Sequence, residues 1–173
     1  MEVVFEILKY TIPSAIVFIG VYFVLQNFLE SEQKNMELKY RSDNIKLITP
    51  IKLQAYERLI LYLERISLSY MVMRVYCRGM TAMDLLGKML MNIRSEYEHN
   101  MAQQLYISSG AWKMVKSAKE ETIKVINSCT EQLNDAATGL ELSQFIVELV
   151  GQVESSPTEV AIEALKREVN RSF

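Results

Sequence analysis

From Tyr10 to Leu29 the chain reads YTIPSAIVFIGVYFVLQNFL, an uncharged run with Lys9 before it and Glu30 after it. Apolar side chains recur all the way round such a helix rather than along one stripe, which predicts lipid rather than a protein core as its surroundings. At 1.5 Å of rise per residue the run covers about 30 Å, the hydrocarbon thickness of a bilayer. Beyond Glu30 the pattern turns polar, and ESEQKNMELKY extends the helix as a stalk until Ser42, Asp43 and Asn44 mark a turn. Thr49 followed by Pro50 then reads as a helix start, a capping side chain with proline at the first helical position. In that helix Ile51, Ala55, Leu59, Leu63 and Ile66 share a face.

The stretch Met71 to Met80 is patterned less clearly. Thr81 with Asp84 three residues on resembles a capping box and opens a helix to about Leu105, striped by Leu86, Leu90, Ile93, Tyr97, Met101 and Leu105. The short connection ISSG, with Ser109 as cap, leads to a helix carrying Trp112, Val115, Ile123, Ile126 and Leu133. Two long striped helices joined so closely predict an antiparallel hairpin. After the interruption Asn134 to Gly139, a shorter helix carries Leu142, Phe145, Ile146, Leu149 and Val153. The last helix has Ser156 as cap, Pro157 at its first position and Glu159 closing a capping box, ahead of Val160, Ala164, Leu165 and Val169.

The expected fold is therefore all-α. A single N-terminal transmembrane helix (1–29, membrane anchor) leads through a juxtamembrane stalk and turn (30–48) to a helical domain (49–173) built as a bundle around a long antiparallel hairpin. Only three prolines and six glycines punctuate the 173 residues, which agrees with helix throughout. Glu2 and Glu6 precede the apolar run and no small-x-small site follows it, so the segment is expected to be retained rather than cleaved as a signal peptide.

Cations set the orientation: Lys9 stands alone before the run, whereas Lys34, Lys39, Arg41 and Lys46 follow it. This places the N-terminus outside and the helical domain in the cytoplasm. Two widely spaced cysteines, Cys77 and Cys129, fit a reducing compartment. A formal net charge of −2 supplies no basic face, and nucleic acid is not an expected partner. Membrane lipid, other membrane or cytoplasmic proteins, and further copies of the chain are.

Arg94, Glu96, His99, Asn100 and Gln103 form the one candidate polar cluster. Glu96 and His99 have the Glu-x-x-His spacing of di-iron bundles, but such a site needs two copies and His99 is the single histidine. No metal or other cofactor is expected. With no phosphate loop or nucleophile elbow in the chain, the cluster reads as structural hydrogen bonding rather than an active site. Methionines crowd Met71 to Met91; the default role is gap-filling in a core, the alternative an adaptable partner surface at Met71, Met73, Met80 and Met83.

At LQAYERLILYLERIS (Leu53 to Ser67), EYEHNMAQQLYIS (Glu96 to Ser108), AWKMVKSAKEE and the closing helix, the chain resembles an uncharacterised family of small bacterial proteins with an N-terminal membrane helix and a cytoplasmic helical domain. The resemblance covers almost the whole chain and implies an inner-membrane location in a Gram-negative cell. It brings no established activity and no functional residues. The leading expectation is a non-enzymatic single-pass inner-membrane protein whose helical bundle serves as a scaffold or protein-interaction module. The alternatives are an accessory subunit of a larger membrane complex, such as an energised transport motor, and an enzyme using His99.

Overall fold

The computed structural model describes residues 2–134 and 136–172, with side chains except those of residues 2–15, Arg41, Ser42, Asn44 and Ser172. It is all-helical: α1 (Glu2–Ile66), α2 (Leu68–Val75), α3 (Ala82–Asn100), α4 (Ser109–Glu131), α5 (Gly139–Gln152) and α6 (Pro157–Ser172), with a 3-10 turn at Met101–Leu105. The chain divides into two units, Met1–Thr49 and Pro50–Phe173.

In the first unit, the turn expected at Ser42, Asp43 and Asn44 is absent, because these residues are helical. Each is only about 0.5 kcal/mol poorer than alanine in a helix. Asp43 also accepts from Lys46 at 3.3 Å, a pairing that helical i,i+3 spacing brings about. Thr49 and Pro50, expected to open a helix, likewise fall inside α1. Every large apolar side chain from Ile16 to Leu29 is more than half exposed, up to 74% at Phe18. Among the described residues no helix is long and apolar enough to cross a membrane. Tyr10 to Ala15, the first part of the expected span, lie outside the residues whose side chains are described.

The second unit is a bundle whose core draws on every helix in it. From α1 it takes Ala55, Leu59, Tyr62, Leu63 and Ile66, spaced three and four apart so that one face is buried throughout. Ile51, expected at the head of that face, is exposed. In α3 the expected Ile93 is buried, together with Leu85 and Met89, each one position before the expected Leu86 and Leu90. Met101 and Leu105 are exposed because the 3-10 turn, at three residues per turn, shifts the phase of the stripe beyond Asn100. In α4 the cap is Ser108 rather than Ser109: its hydroxyl accepts the Ala111 N–H at 3.0 Å. Trp112, Val115, Ala118, Ile126 and Cys129 face inward behind it. α5 contributes Leu142 and Ile146, and Val153 lies beyond its end. α6 starts at the expected Ser156–Glu159 capping box and buries Ala161, Ile162 and Leu165, leaving Val160 exposed.

α3 and α4 pack on each other; α4 also runs against α6, while α5 lies against α2 and α3. A short antiparallel bridge explains the second arrangement. Thr81 caps α3 and Thr138 caps α5, each in a capping box, with Asp84 and Glu141 respectively. The two caps pair through Ala82 N–H to Ala137 C=O at 2.9 Å and Gly139 N–H to Met80 C=O at 2.8 Å. Both helices thus start from one hydrogen-bonded point. Thr81 and Thr138 hold their partner acids below the usual carboxylate range by donating hydrogen bonds to them.

Gly139 makes the bridge geometrically feasible. A Cβ there would sit 3.1 Å from the Met80 carbonyl oxygen and 3.2 Å from the Met80 Cβ. Gly139→Ala must push the two cap segments apart and is expected to lower stability by about 1–3 kcal/mol, the usual penalty of overpacking. Urea unfolding followed by circular dichroism measures it, and an unchanged midpoint would show that the bridge does not hold the helix starts together.

Candidate functional site

α1, α3 and α4 meet along an aromatic row. The Tyr62 and Tyr97 ring centroids lie 6.2 Å apart, Tyr97 stacks on Trp112 at 5.6 Å, and the Lys119 ammonium sits 4.2 Å from the Tyr97 ring centre. Such contacts add to area burial and fix the spacing of the helices that carry them. Above the row, Arg58, Leu61, Tyr62 and Arg65 of α1 face Glu96, His99 and Asn100 of α3 across a groove of about 200 Å³. The α1 residues recur at three, four and seven positions, so a single helix face delivers them.

Arg65 closes one end of the groove. Its Nη1 donates to both Glu96 carboxylate oxygens, at 3.1 and 3.2 Å. Arg74 fixes the register behind it: Nη2 donates to the Arg65 carbonyl at 3.2 Å and to the Asn92 side-chain oxygen at 2.6 Å. Asn100 is buried and turns its amide back onto the Glu96 carbonyl at 2.8 Å. Tyr62 is 1% exposed, and its hydroxyl has no hydrogen-bond partner among the described residues. Burial first, and then the negative field of Tyr97, Glu120 and Glu96, raise its pKa and keep the phenol protonated.

Of the polar cluster read from the sequence, Glu96, His99 and Asn100 come together here. Arg94 is exposed and does not line the groove. Gln103 stands in the 3-10 turn, where its carbonyl accepts the Tyr106 N–H at 3.0 Å. Arg58, Tyr62 and Arg65 were not anticipated, because no local pattern links α1 to a helix some thirty residues later (|i−j| = 31 for Arg65 and Glu96). The i,i+7 spacing of Arg58 and Arg65 is the signal that was available.

The methionine surface divides. Met71 is fully buried in the core beside Leu68 and Val72, which removes it from the expected partner surface. Met73, Met83 and Met91 are exposed, and Met80 is half-buried. Met80, Met83 and Met91 border a shallow depression with Arg78, Asp84 and Lys88. A second, apolar groove of about 430 Å³ runs between α4, α5 and the start of α6, floored by Val125, Leu149 and Val150. Among the described residues no group of three or more His, Cys, Asp or Glu side chains is placed to hold a metal ion. Cys77 is free and exposed; Cys129 is free and buried, which raises its thiol pKa.

On the opposite side of the α1 segment, Glu168 of α6 gathers three donors. The Tyr56 hydroxyl reaches it at 2.6 Å, the Ser108 hydroxyl at 2.8 Å and the Ser108 N–H at 3.3 Å. Burial and the hydrogen bond to Glu168 push the Tyr56 pKa up to about 12 from 10.0. A raised pKa on a phenol means that the neutral form is favoured in the fold. Its contribution is complete below pH 10 and is lost as pH rises toward 12. Tyr56→Phe is expected to cost about 1 kcal/mol at neutral pH and to shallow this alkaline loss relative to the parent protein. Urea melts from pH 8 upward test both; parallel curves would mean that Tyr56 is not the titrating group.

A family model matches residues 2–172, that of a family of unknown function (DUF7935). No curated protein and no solved structure matches the chain.

Proposed function

We propose that this chain, which belongs to the family of unknown function DUF7935, is a membrane-attached, non-enzymatic protein-interaction module. The observation that carries the reading is the exposure of every large apolar side chain from Ile16 to Leu29. At about 25 cal/mol per Å², so much bare apolar surface is costly in water, and a lipid surrounding removes the cost. Together with the uncharged residues before it, this segment is long enough to serve as a single-pass anchor in a bacterial inner membrane. The excess of Lys and Arg after the run supports a cytoplasmic body.

In this reading the bundle faces partners with Met73, Met83 and Met91, unbranched and polarisable side chains that adapt to irregular surfaces. Met80 lines one depression with Met83 and Met91.

The exposed thiol of Cys77 offers a direct test of orientation. A membrane-impermeant maleimide added to intact bacterial spheroplasts is expected to leave Cys77 unlabelled until the cells are opened, whereas Cys129 stays unlabelled in the folded protein throughout. Labelling of Cys77 before lysis would place the body outside. For the interaction surface, a photo-crosslinking side chain at position 83 is expected to give discrete adducts that the same group in place of Lys166, on an exposed face of α6, does not. Adducts with polytopic subunits would assign the chain to a larger membrane complex; adducts from neither position would contradict the interaction surface.

A further inference from the structure

The groove between α1 and α3 carries more positive than negative charge and more donors than its own residues use. Arg65 spends one nitrogen, Nη1, on Glu96, leaving the rest of its five N–H donors. Among the described residues no carboxylate lies within ion-pairing distance of Arg58. His99 supplies an N–H in either protonation state. Tyr62 lines the same groove, but its hydroxyl is closed off from solvent and supplies no donor there. Glu96 balances one guanidinium and leaves the other uncompensated.

We propose that this groove binds a phosphate group, with Arg58 and Arg65 as the charged clamp and His99 as a further donor. Donors arrive from two helices, which suits a tetrahedral group with several acceptor oxygens better than a planar carboxylate. The volume, about 200 Å³, is below the roughly 300 Å³ at which pockets for drug-sized ligands begin, so the ligand is a small phosphate compound or a headgroup phosphate rather than a nucleotide. Glu96 sets the selectivity: its carboxylate holds Arg65 in place and repels anions that do not engage Arg58. The site needs no membrane to form and stands apart from the interaction surface proposed above.

The chain has one histidine, so the His99 ring proton resonances report the groove without assignment work. The full-length protein in neutral detergent micelles is titrated with inorganic phosphate and, separately, with dihexanoyl phosphatidic acid below its micelle concentration. The expected result is a saturable His99 shift with a dissociation constant on the order of millimolar or tighter. Arg58→Ala together with Arg65→Ala should weaken binding at least tenfold. Tighter binding of the phosphatidic acid identifies a lipid headgroup as the source, and equal binding identifies soluble phosphate compounds. The proposal is overturned if neither probe shifts His99 saturably, or if the double arginine variant binds as the parent does.

Discussion

Ile19→Lys combined with Phe23→Lys is expected to release the protein from membranes. Both side chains are more than half exposed, and i,i+4 spacing puts both lysines on one face near the middle of the uncharged run. A lysine near the centre of a membrane helix costs about 3 kcal/mol on insertion scales, and the apolar residue it replaces was slightly favourable. Two such changes therefore remove about 6 kcal/mol, enough to shift a tethered protein largely into the soluble fraction. The same pair would be nearly silent if the segment were merely solvated, because exposed substitutions seldom change stability by more than about 0.5 kcal/mol. Quantitative blotting of soluble and membrane fractions separates the two, and the body's melting behaviour should not change.

The second large effect is expected at Leu63. Leu63→Ala should cost about 2–5 kcal/mol, because a fully buried leucine is removed and its neighbours close the gap only partly. Leu61→Ala, two residues away on the same helix, is the matched control. Leu61 is 54% exposed, so its loss should be nearly neutral. The contrast measures whether residues 50–66 are an integral wall of the bundle rather than a continuation of the anchor. Equal melting temperatures for the two variants would contradict the assignment of Leu63 to the core.

Helix starts marked by a capping box were the most legible features in the sequence, whereas Thr49–Pro50, a cap and proline without a box, lies inside α1. Thr81–Asp84 and Ser156–Glu159 are capping boxes whose donors and acceptors lie three residues apart, so local sequence contains all the information. Thr138–Glu141 follows the same rule but is hidden in the sequence, because the polar run before it reads as loop from end to end. Stripes were legible to within about one residue. Leu85, Met89 and Ile93 are buried where Leu86, Leu90 and Ile93 were expected, since an apolar residue on either side of a face satisfies the same periodicity. The 3-10 turn after Asn100 carries no apolar signature, and the phase change it imposes on Met101 and Leu105 was therefore invisible.

The turn expected at residues 42–44 failed for a different reason. Weak helix formers bias a segment but do not break it unless another conformation offers compensating hydrogen bonds. Half of the candidate site was within reach of local reasoning, since Glu96, His99 and Asn100 share one helix. The other half required tertiary pairing. Arg58, Tyr62 and Arg65 join them only because α1 buries the adjacent face against the same core.

The central claim is that the apolar segment ending at Leu29 takes lipid as its solvent, and extraction of isolated membranes with alkaline carbonate tests it most directly. The full-length protein should stay in the pellet after carbonate and high salt and appear in solution only with detergent. Recovery in the aqueous fraction before any detergent is added would contradict the account.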